Sequence, residues 1–330
     1  MRAMRLHKIG GPLCLDELST PTAGAGYVVL RVTACGVCRT DLHVIAGDLP
    51  THRLPLIPGH EIVGVVTALG AGVTGINLGD KVGVPWMGGT CGRCSYCLSG
   101  QDNLCDAPTF TGYDVDGGYA EFTRARSSAC IPLPEAFPDV EGAPLLCAGL
   151  IGFRAYRKTN GARRLGLVGF GAAAHIIAQI ARDDGVEVFA FTRRGDVAGQ
   201  RFARDLGAVW AGGTDEVPCS PLDAVIIFAP AGELVPLSLR LVRKGGVVVC
   251  AGIHMSRIPT FPYEDLWGER QIVSVANLTR EDARLFFGEG RARAVRTSVR
   301  RYRLEDANDA LRDVKAGAVQ GAAVLVPESL

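Results

Sequence analysis

Short apolar runs alternate with amphipathic stretches through the second half of the sequence, and this alternation constrains the fold most. The apolar runs lie at residues 165–168, 186–191, 224–228 and 247–251. Between the first two runs, residues 172–182 carry apolar side chains at helical spacing. Strands that alternate with helices predict a parallel sheet with crossover helices. We therefore expect an α/β fold in which this segment forms a parallel sheet.

A glycine-rich turn joins the first apolar run to the amphipathic stretch, and it reads Gly169-Phe-Gly171-Ala-Ala-Ala174. Gly169 would allow a tight turn, Gly171 would let backbone amides approach a pyrophosphate, and Ala174 is small enough for close helix-to-sheet packing. The amides at a helix N-terminus favour bound phosphate. We therefore expect a Rossmann doubly wound sheet that binds a nicotinamide dinucleotide.

The end of the second strand predicts which dinucleotide binds. Thr192, Arg193 and Arg194 follow this strand, and no carboxylate stands there to accept hydrogen bonds from a ribose diol. A guanidinium group pairs well with a 2′-phosphate, and Thr192 offers a short donor. We therefore favour NADP over NAD as the cofactor. NAD remains an alternative, because the carboxylate of Asp196 is close to the end of this strand.

A second dense signal is a group of four cysteines at Cys91, Cys94, Cys97 and Cys105. Such spacing is awkward for disulfides and is typical of a tetrahedral zinc site. Four thiolates leave no open coordination position, so we expect a structural zinc that anchors the loop 91–105. The five cysteines outside motifs are predicted to be buried small hydrophobes: Cys14, Cys35, Cys130, Cys219 and Cys250.

Composition and charge exclude several classes of partner. The 35 basic residues nearly balance the 34 acidic residues, so no basic field favours nucleic acid or an anionic membrane. Residues 1–8 lack the apolar core of a signal peptide, and no run of about eighteen apolar residues occurs. We expect a cytoplasmic protein whose partner is a small molecule.

The segments before and after this α/β region have a different residue pattern. Glycine and proline interrupt β-branched runs in the first 147 residues, which predicts a β-rich domain. Near the C-terminus, Thr279 and Asp282 match a capping box, apolar residues between 307 and 314 share a helix face, and residues 322–326 predict a strand. Of the remaining histidines, His7, His52 and His175 are interpreted as surface or packing residues, and His254 as a candidate for the cofactor cleft.

Three separated segments carry a resemblance to a known family. They read Cys38-Arg39-Thr40-Asp41-Leu42-His43, then Gly59-His60-Glu61, then Leu146-Cys147-Ala148-Gly149. With the four-cysteine loop and the glycine turn in the same order, the chain resembles the zinc-dependent alcohol dehydrogenases of the medium-chain dehydrogenase/reductase (MDR) superfamily nearly end to end. The resemblance implies a GroES-like catalytic domain at 1–147 and 279–330, a Rossmann domain at 148–278, and a homodimer or homotetramer.

The resemblance also implies roles for individual residues. It assigns Cys38, His60 and Cys147 to a catalytic zinc, and two thiolates with an imidazole leave one coordination position open for substrate. Two zinc ions per chain are therefore expected. The other implied roles are a transient zinc contact for Glu61, an acceptor of the second ring hydrogen of His60 for Asp41, a proton relay for Thr40 and His43, and a pyrophosphate contact for Arg39.

Three apolar residues match positions that line the family's substrate pocket: Leu49, Trp86 and Met87. An apolar wall favours primary aliphatic or aromatic alcohols and their aldehydes. One departure from the family is the stretch 211–222, which is short where a longer helix is usual.

The sequence is also compatible with other functions. Within the superfamily these are a cinnamyl- or polyol-type dehydrogenase and a quinone- or enone-reductase relative without catalytic zinc. From a different class, the cysteine loop is compatible with a zinc-ribbon protein that binds nucleic acid, although the basic stripe such a protein needs is missing.

Overall fold

The structure is a computed structural model of the 330-residue chain. It describes residues 1–50, 53–253, 255–288 and 290–327. His52, which was interpreted as a surface or packing residue, and His254, the candidate for the cofactor cleft, lie outside the described residues. Two compact units are present: Met1–Ala148 with Asn277–Leu330, hereafter unit 1, and Gly149–Ala276, hereafter unit 2.

The strands of the described residues are short, and most belong to two large sheets. In chain order they are β1 Arg2–Leu6, β2 Leu13–Glu17, β3 Tyr27–Val37, β4 Glu61–Leu69, β5 Lys81–Val84, β6 Met87–Gly89, β7 Thr109–Phe110, β8 Phe122–Arg126, β9 Ile131–Pro132, β10 Arg164–Val168, β11 Glu187–Thr192, β12 Trp210–Gly213, β13 Leu222–Ile227, β14 Val242–Cys250, β15 Gln271–Ser274, β16 Val299–Arg303 and β17 Ala322–Val326.

The helices of the described residues range from single turns to the twelve residues of α5. They are α1 Arg39–Ala46, α2 Ser95–Leu98, α3 Asp139–Gly142, α4 Ala148–Arg157, α5 Ala172–Asp183, α6 Val197–Asp205, α7 Leu234–Leu241, α8 Tyr263–Leu266, α9 Arg280–Ala283 and α10 Ala307–Ala316. Short 3₁₀ turns lie at Asp102–Leu104, Ser127–Ala129, Ala143–Leu146, Arg291–Ala294 and Leu304–Asp306, and a π turn lies at Arg284–Gly288.

Unit 1 is built around a sheet in the order β16-β17-β3-β4-β5-β9, with β8 also paired to β3. Its pairs are antiparallel except β16 with β17. Leu30, Val32 and Ile62 from the central strands are fully buried, and Ala310 of α10 joins their core. The chain leaves this sheet at the ends of β3 and β5 and enters it at β4, which places the loops that carry Cys38, His60 and Trp86 near one another.

The predicted features near the C-terminus are confirmed. Thr279 Oγ1 accepts a hydrogen bond from Asp282 N at 3.0 Å, and the Asp282 carboxylate accepts one from Thr279 N at 2.9 Å. This capping box opens α9. The predicted helix face is α10, and the predicted final strand is β17.

Unit 2 contains a fully parallel sheet in the order β12-β11-β10-β13-β14-β15. This is the 3-2-1-4-5-6 order of the doubly wound dinucleotide-binding fold, so the predicted Rossmann architecture is confirmed. Helix α5 packs Ile176, Ile177 and Ile180 into the interior, as its apolar spacing predicts. Residues 214–221, between β12 and β13, contain no helix, in keeping with the short stretch seen in the sequence.

One prediction about cysteines is wrong. Cys35 is buried as expected, but Cys14 and Cys219 are exposed, and Cys130 and Cys250 are half-buried. Cys14 lies in β2, where Leu13 is buried but both Cys14 and Leu15 are exposed. Its small apolar character therefore did not decide its burial. None of the helices that the structure describes is long and apolar enough to cross a bilayer.

Candidate active site and metal centres

The first part of the candidate site lies at the start of α1. Cys38 is extended and precedes the helix, and its backbone N–H donates to Asp41 Oδ2 at 2.8 Å. Thr40 and Asp41 are buried in the first turn. His43 lies one turn later, half-buried, with Nδ1 2.8 Å from Asp48 Oδ2. The helix thus brings together the four residues for which the sequence predicts ligand, relay and orienting roles.

The second part lies at the entry to β4. His60 and Glu61 are buried, and Glu61 pairs across the sheet with Gly36 of β3. A Cβ atom at Gly36 would overlap with the Glu61 carboxyl group. Glycine at this position therefore leaves the space that the Glu61 side chain occupies.

Cys147 completes a cluster of potential ligands. One ligand atom from each of Cys38, His60, Glu61 and Cys147 lies within 4.8 Å of the others. The sulfurs of Cys38 and Cys147 are 4.0 Å apart. Two thiolates bound to one tetrahedral zinc with Zn–S bonds of 2.3 Å would be separated by about 3.8 Å. The spacing therefore suits zinc.

The histidine of this cluster is oriented for a metal. His60 Nδ1 lies 3.1 Å from Asp41 Oδ1, while the buried Nε2 has no hydrogen-bond partner among the described residues. A ring that donates through Nδ1 to a carboxylate presents the lone pair of Nε2, which is the usual arrangement of a metal-binding histidine. The unpartnered nitrogen and the two sulfurs together fit a zinc ion.

The electrostatics of the cluster favour one thiolate. A hydrogen bond from the Cys147 thiol, together with the neighbouring His60, holds the pKa of Cys38 well below its usual value. The same hydrogen bond, with burial, raises the pKa of Cys147. Burial and the nearby Cys38 thiolate raise the pKa of Glu61 well above its usual value. Burial thus favours the neutral form of the Glu61 carboxyl group, and the hydrogen bond from Cys147 favours the thiolate of Cys38.

The four-cysteine loop forms a second cluster in unit 1. The sulfurs of Cys91, Cys94, Cys97 and Cys105 lie within 4.8 Å of one another, and none of the eleven cysteines, all described, forms a disulfide. Backbone N–H groups donate to the sulfurs: Cys94 N to Cys91 at 3.4 Å, and Cys91 N to Cys105 at 3.2 Å. Hydrogen bonds from Arg93 and Cys94 lower the pKa of Cys91 to about 6, which favours the thiolate that a metal needs.

A cluster of aromatic side chains lies beside His60. The Trp86 ring meets the His60 imidazole edge-on with centroids 5.0 Å apart, and Phe110 stacks on Trp86, also at 5.0 Å. Tyr113 lies 5.8 Å from Trp86, and Leu49 packs in the same cluster. Sequence reasoning found Leu49 and Trp86 but missed Phe110 and Tyr113.

Met87 is not part of this aromatic cluster. It lines a separate cavity of about 370 Å³ within unit 1, together with Ile131 and Phe287. Trp86 lies in the bend that precedes β6, whereas Met87 is the first residue of that strand, so adjacency in sequence does not place the two side chains on one face. The structure thus brings Leu49 and Trp86 together and places Met87, the third predicted pocket residue, elsewhere.

The glycine turn of unit 2 lies at the carboxyl end of β10, between β11 and β13. Gly169 has φ +88°, and a Cβ atom there would lie 2.9 Å from Ala229 N. Gly171 precedes α5, and a Cβ atom there would meet nothing within 4 Å. Ala174 is fully buried. The strand order reverses at this point, where doubly wound sheets bind nucleotides, and the open space at the helix N-terminus fits a pyrophosphate.

The end of β11 lies next to this turn. Thr192 is buried, its hydroxyl donates to Gly212 O at 3.3 Å, and it accepts from Gln200. Arg193 and Arg194 are exposed, and Arg194 lies 3.4 Å from Asp215. The Asp196 carboxylate accepts a hydrogen bond from Gly199 N and so caps α6.

Comparison with known proteins identifies the family. The protein-family model described as the alcohol dehydrogenase GroES-like domain matches residues 24–135 of this chain. A Mycobacterium tuberculosis protein named "Probable alcohol dehydrogenase AdhA" is 45% identical over 324 residues, which cover 96% of this chain and 93% of that protein. The chain belongs to the alcohol dehydrogenase family.

Solved structures agree with the alcohol dehydrogenase assignment. A cobalt- and zinc-bound thermostable alcohol dehydrogenase from Pyrobaculum aerophilum has a TM-score of 0.89 and 28% identity, with 99% of both chains covered. Acetophenone reductase from Geotrichum candidum in complex with NAD has a TM-score of 0.86 and 27% identity, covering 98% of this chain and 96% of that one. The protein is an MDR-type oxidoreductase that acts on small-molecule alcohols or aldehydes.

Three other residues singled out in the sequence of this alcohol dehydrogenase are Arg39, His175 and His7. Arg39 is exposed at the start of α1. His175 is fully buried in α5, and burial lowers its pKa to about 4. His175 therefore has a packing role, as its sequence context suggested, while His7 is exposed and lies 2.9 Å from Asp16.

Proposed function

We propose that this protein is a zinc-dependent alcohol dehydrogenase that favours NADP over NAD and interconverts primary aliphatic or aromatic alcohols and their aldehydes. Cys38, His60 and Cys147 would hold the catalytic zinc, with Glu61 beside them. The four-cysteine loop would hold a second, structural zinc. The observation that carries the proposal is the buried, unpartnered Nε2 of His60 facing two cysteine sulfurs 4.0 Å apart.

When bound, the zinc ion would supply Lewis acidity and the nicotinamide cofactor would exchange the hydride, while the side chains of this chain would supply orientation and proton transfer. Thr40, buried next to Cys38, offers a hydroxyl to take the proton of the alcohol. His43 is half-buried on the same helix, where its imidazole would pass this proton on to water. Asp48 orients the His43 ring through its 2.8 Å contact.

The aromatic cluster supports the substrate class. Trp86, Phe110 and Tyr113 form an apolar wall beside His60, and Leu49 extends it. Aromatic rings gain about 0.5–1.5 kcal/mol from ring contacts beyond simple burial. An aryl aldehyde should therefore bind this wall better than a short aliphatic one. The NAD complex of acetophenone reductase, an enzyme named for an aromatic ketone, is in keeping with such a wall.

Other residues support the proposed preference for NADP and the proposed cellular compartment. Asp196 is engaged as a helix cap, and Arg193 is exposed at the end of β11. A guanidinium group in that place favours a 2′-phosphate. Gly169, Gly171 and Ala174 would form the pyrophosphate turn, and Arg39 would add a pyrophosphate contact. Eleven cysteines, six of them proposed zinc ligands, would suit a reducing compartment such as the cytoplasm.

The test is a two-by-two comparison of NADPH and NADH with benzaldehyde and propanal. We expect the highest kcat/KM with NADPH and benzaldehyde. Arg193→Gln should lower kcat/KM for NADPH about 10-fold and leave NADH unchanged, and Trp86→Ala should remove about a 10-fold preference for benzaldehyde. The control is Arg312→Gln, an exposed arginine of α10. Equal use of both cofactors by the parent enzyme, or no aldehyde reduction at all, would contradict the proposal.

A further inference from the structure

We propose that Tyr119 is a positioning residue of the catalytic centre, which acts through Asp41 on both Cys38 and His60. The inference rests on the proposed function, because it concerns the zinc affinity of that site. Asp41 was expected from the family resemblance, whereas Tyr119 was not.

The Asp41 carboxylate is the centre of the arrangement. Its Oδ1 lies 3.1 Å from His60 Nδ1, and its Oδ2 accepts from Cys38 N at 2.8 Å and from the Tyr119 hydroxyl at 3.0 Å. Asp41, His60 and Tyr119 are all fully buried. A buried carboxylate needs such donors to remain charged. Tyr119 supplies the one side-chain hydroxyl that this carboxylate receives within the described residues.

The Tyr119 hydroxyl is the donor in its hydrogen bond to the Asp41 carboxylate. Burial and the nearby Asp41 raise the pKa of Tyr119 well above its usual value, so its hydroxyl keeps its proton and donates. With Oδ2 held by two donors, the carboxylate plane is fixed and Oδ1 faces His60. The imidazole then donates through Nδ1 and presents the lone pair of Nε2 toward the two cysteines.

Tyr119 is itself held rigidly by the chain that carries His60. Its N–H donates to Pro58 O at 3.0 Å, and its carbonyl accepts from Met4 N at 2.8 Å. Its ring packs on Gly59, where an added Cβ atom would lie 2.7 Å from Tyr119 Cε1. Tyr119 therefore braces the segment before His60 against the start of α1. The Tyr119 hydroxyl thus links the segment that carries His60 to the segment that carries Cys38.

The test compares Tyr119→Phe with Tyr302→Phe. The control removes the same kind of bond in the same unit, since the Tyr302 hydroxyl donates to Asp313 Oδ2 at 2.7 Å, away from the cluster. Outer-shell partners of metal ligands change metal affinity about 10- to 100-fold. We expect Tyr119→Phe to weaken zinc binding at the catalytic site at least about 10-fold in competition with a chelator, while Tyr302→Phe leaves it unchanged.

Two further readouts separate positioning from loss of stability. In cobalt-substituted protein, Tyr119→Phe should shift the thiolate-to-cobalt absorption of the catalytic site, and Tyr302→Phe should not. Asp41→Asn should weaken zinc as well, and adding Tyr119→Phe to Asp41→Asn should cause little further loss, because Tyr119 acts through Asp41.

The outcomes also separate this inference from the proposed function. A parent protein that binds fewer than two zinc ions contradicts the proposed function itself. If the parent binds two and Tyr119→Phe keeps the parent zinc affinity and cobalt spectrum, Tyr119 has no positioning role. The same conclusion follows if the Tyr119→Phe and Asp41→Asn losses multiply independently.

Discussion

Gly59→Ala should damage the catalytic centre without touching any proposed ligand. Gly59 has φ +98°, a conformation that alanine disfavours. An alanine Cβ atom would overlap with the Tyr119 ring and lie 2.9 Å from Cys35 Sγ. Tyr119 and Cys35 are fully buried, so neither can move aside into solvent. The substitution therefore displaces Tyr119, or the backbone that carries His60.

The expected cost has two parts. The unfavourable backbone conformation costs about 1 kcal/mol, and forcing an extra carbon into a packed core costs about 1–3 kcal/mol. Their combined effect lowers the melting temperature by about 5–15 °C, since a domain of 150–250 residues loses about 2–4 °C per kcal/mol. Gly72→Ala isolates the first part, because Gly72 has φ +77° and an added Cβ atom would meet nothing within 4 Å.

The assay is thermal unfolding of both variants, with zinc counted in the folded protein. We expect Gly72→Ala to lose about 2–4 °C and to keep two zinc ions per chain. Gly59→Ala should lose several degrees more and keep only the structural zinc. If the two variants melt together and both keep two zinc ions, the close packing of Gly59 against Tyr119 has no bearing on the site.

Two predictions concern stability away from the centre. The pKa of His175 is lowered to about 4 in the folded state, whereas an unfolded histidine titrates near 6.5. The unfolded state therefore binds the extra proton first, so stability should fall by about 3 kcal/mol as the pH drops from 6.5 to 4; urea titrations of the parent and of His175→Leu check this, and an equal slope in both would contradict it. Thr279→Ala removes the capping box around buried Asp282 and should cost about 1–2 kcal/mol in the same titration; Thr279→Ser should restore most of it, and an alanine variant as stable as the parent would contradict the capping role.

Features written in contiguous sequence were predicted well. The glycine turn is one such feature, because the tight turn and the helix start that follows it lie within one short segment. The spacing of Cys91, Cys94, Cys97 and Cys105 likewise predicts a cluster before any tertiary contact is known. In both cases one short segment carries the whole signal.

The catalytic centre is not local in this way. Cys38, His60 and Cys147 come from three separate segments, and only their likeness to a known family linked them. Phe110 and Tyr113 were missed because their contact with Trp86 depends on the pairing of β6 with β7, where Met87 lies opposite Phe110. No spacing in the sequence reports that register.

The placement of some side chains depends on backbone geometry that residue type alone does not predict. Met87 and Trp86 were grouped as pocket residues because they are adjacent and apolar, yet Met87 lines the cavity beside Ile131 while Trp86 packs beside His60. Cys14 was expected to be buried from its residue type and is exposed on β2. Tyr119 reaches Asp41 only because its backbone is bonded to Pro58 and its ring packs on Gly59.

Zinc counting in Cys147→Ala tests the central claim most directly, with benzyl alcohol oxidation measured in parallel. Cys147 supplies one of the two sulfurs that face His60 Nε2, and it takes no part in the four-cysteine loop. The parent should contain two zinc ions per chain, and Cys147→Ala should contain one and oxidise no alcohol. A variant that keeps both zinc ions, or that oxidises alcohol at the parent rate, would contradict the assignment.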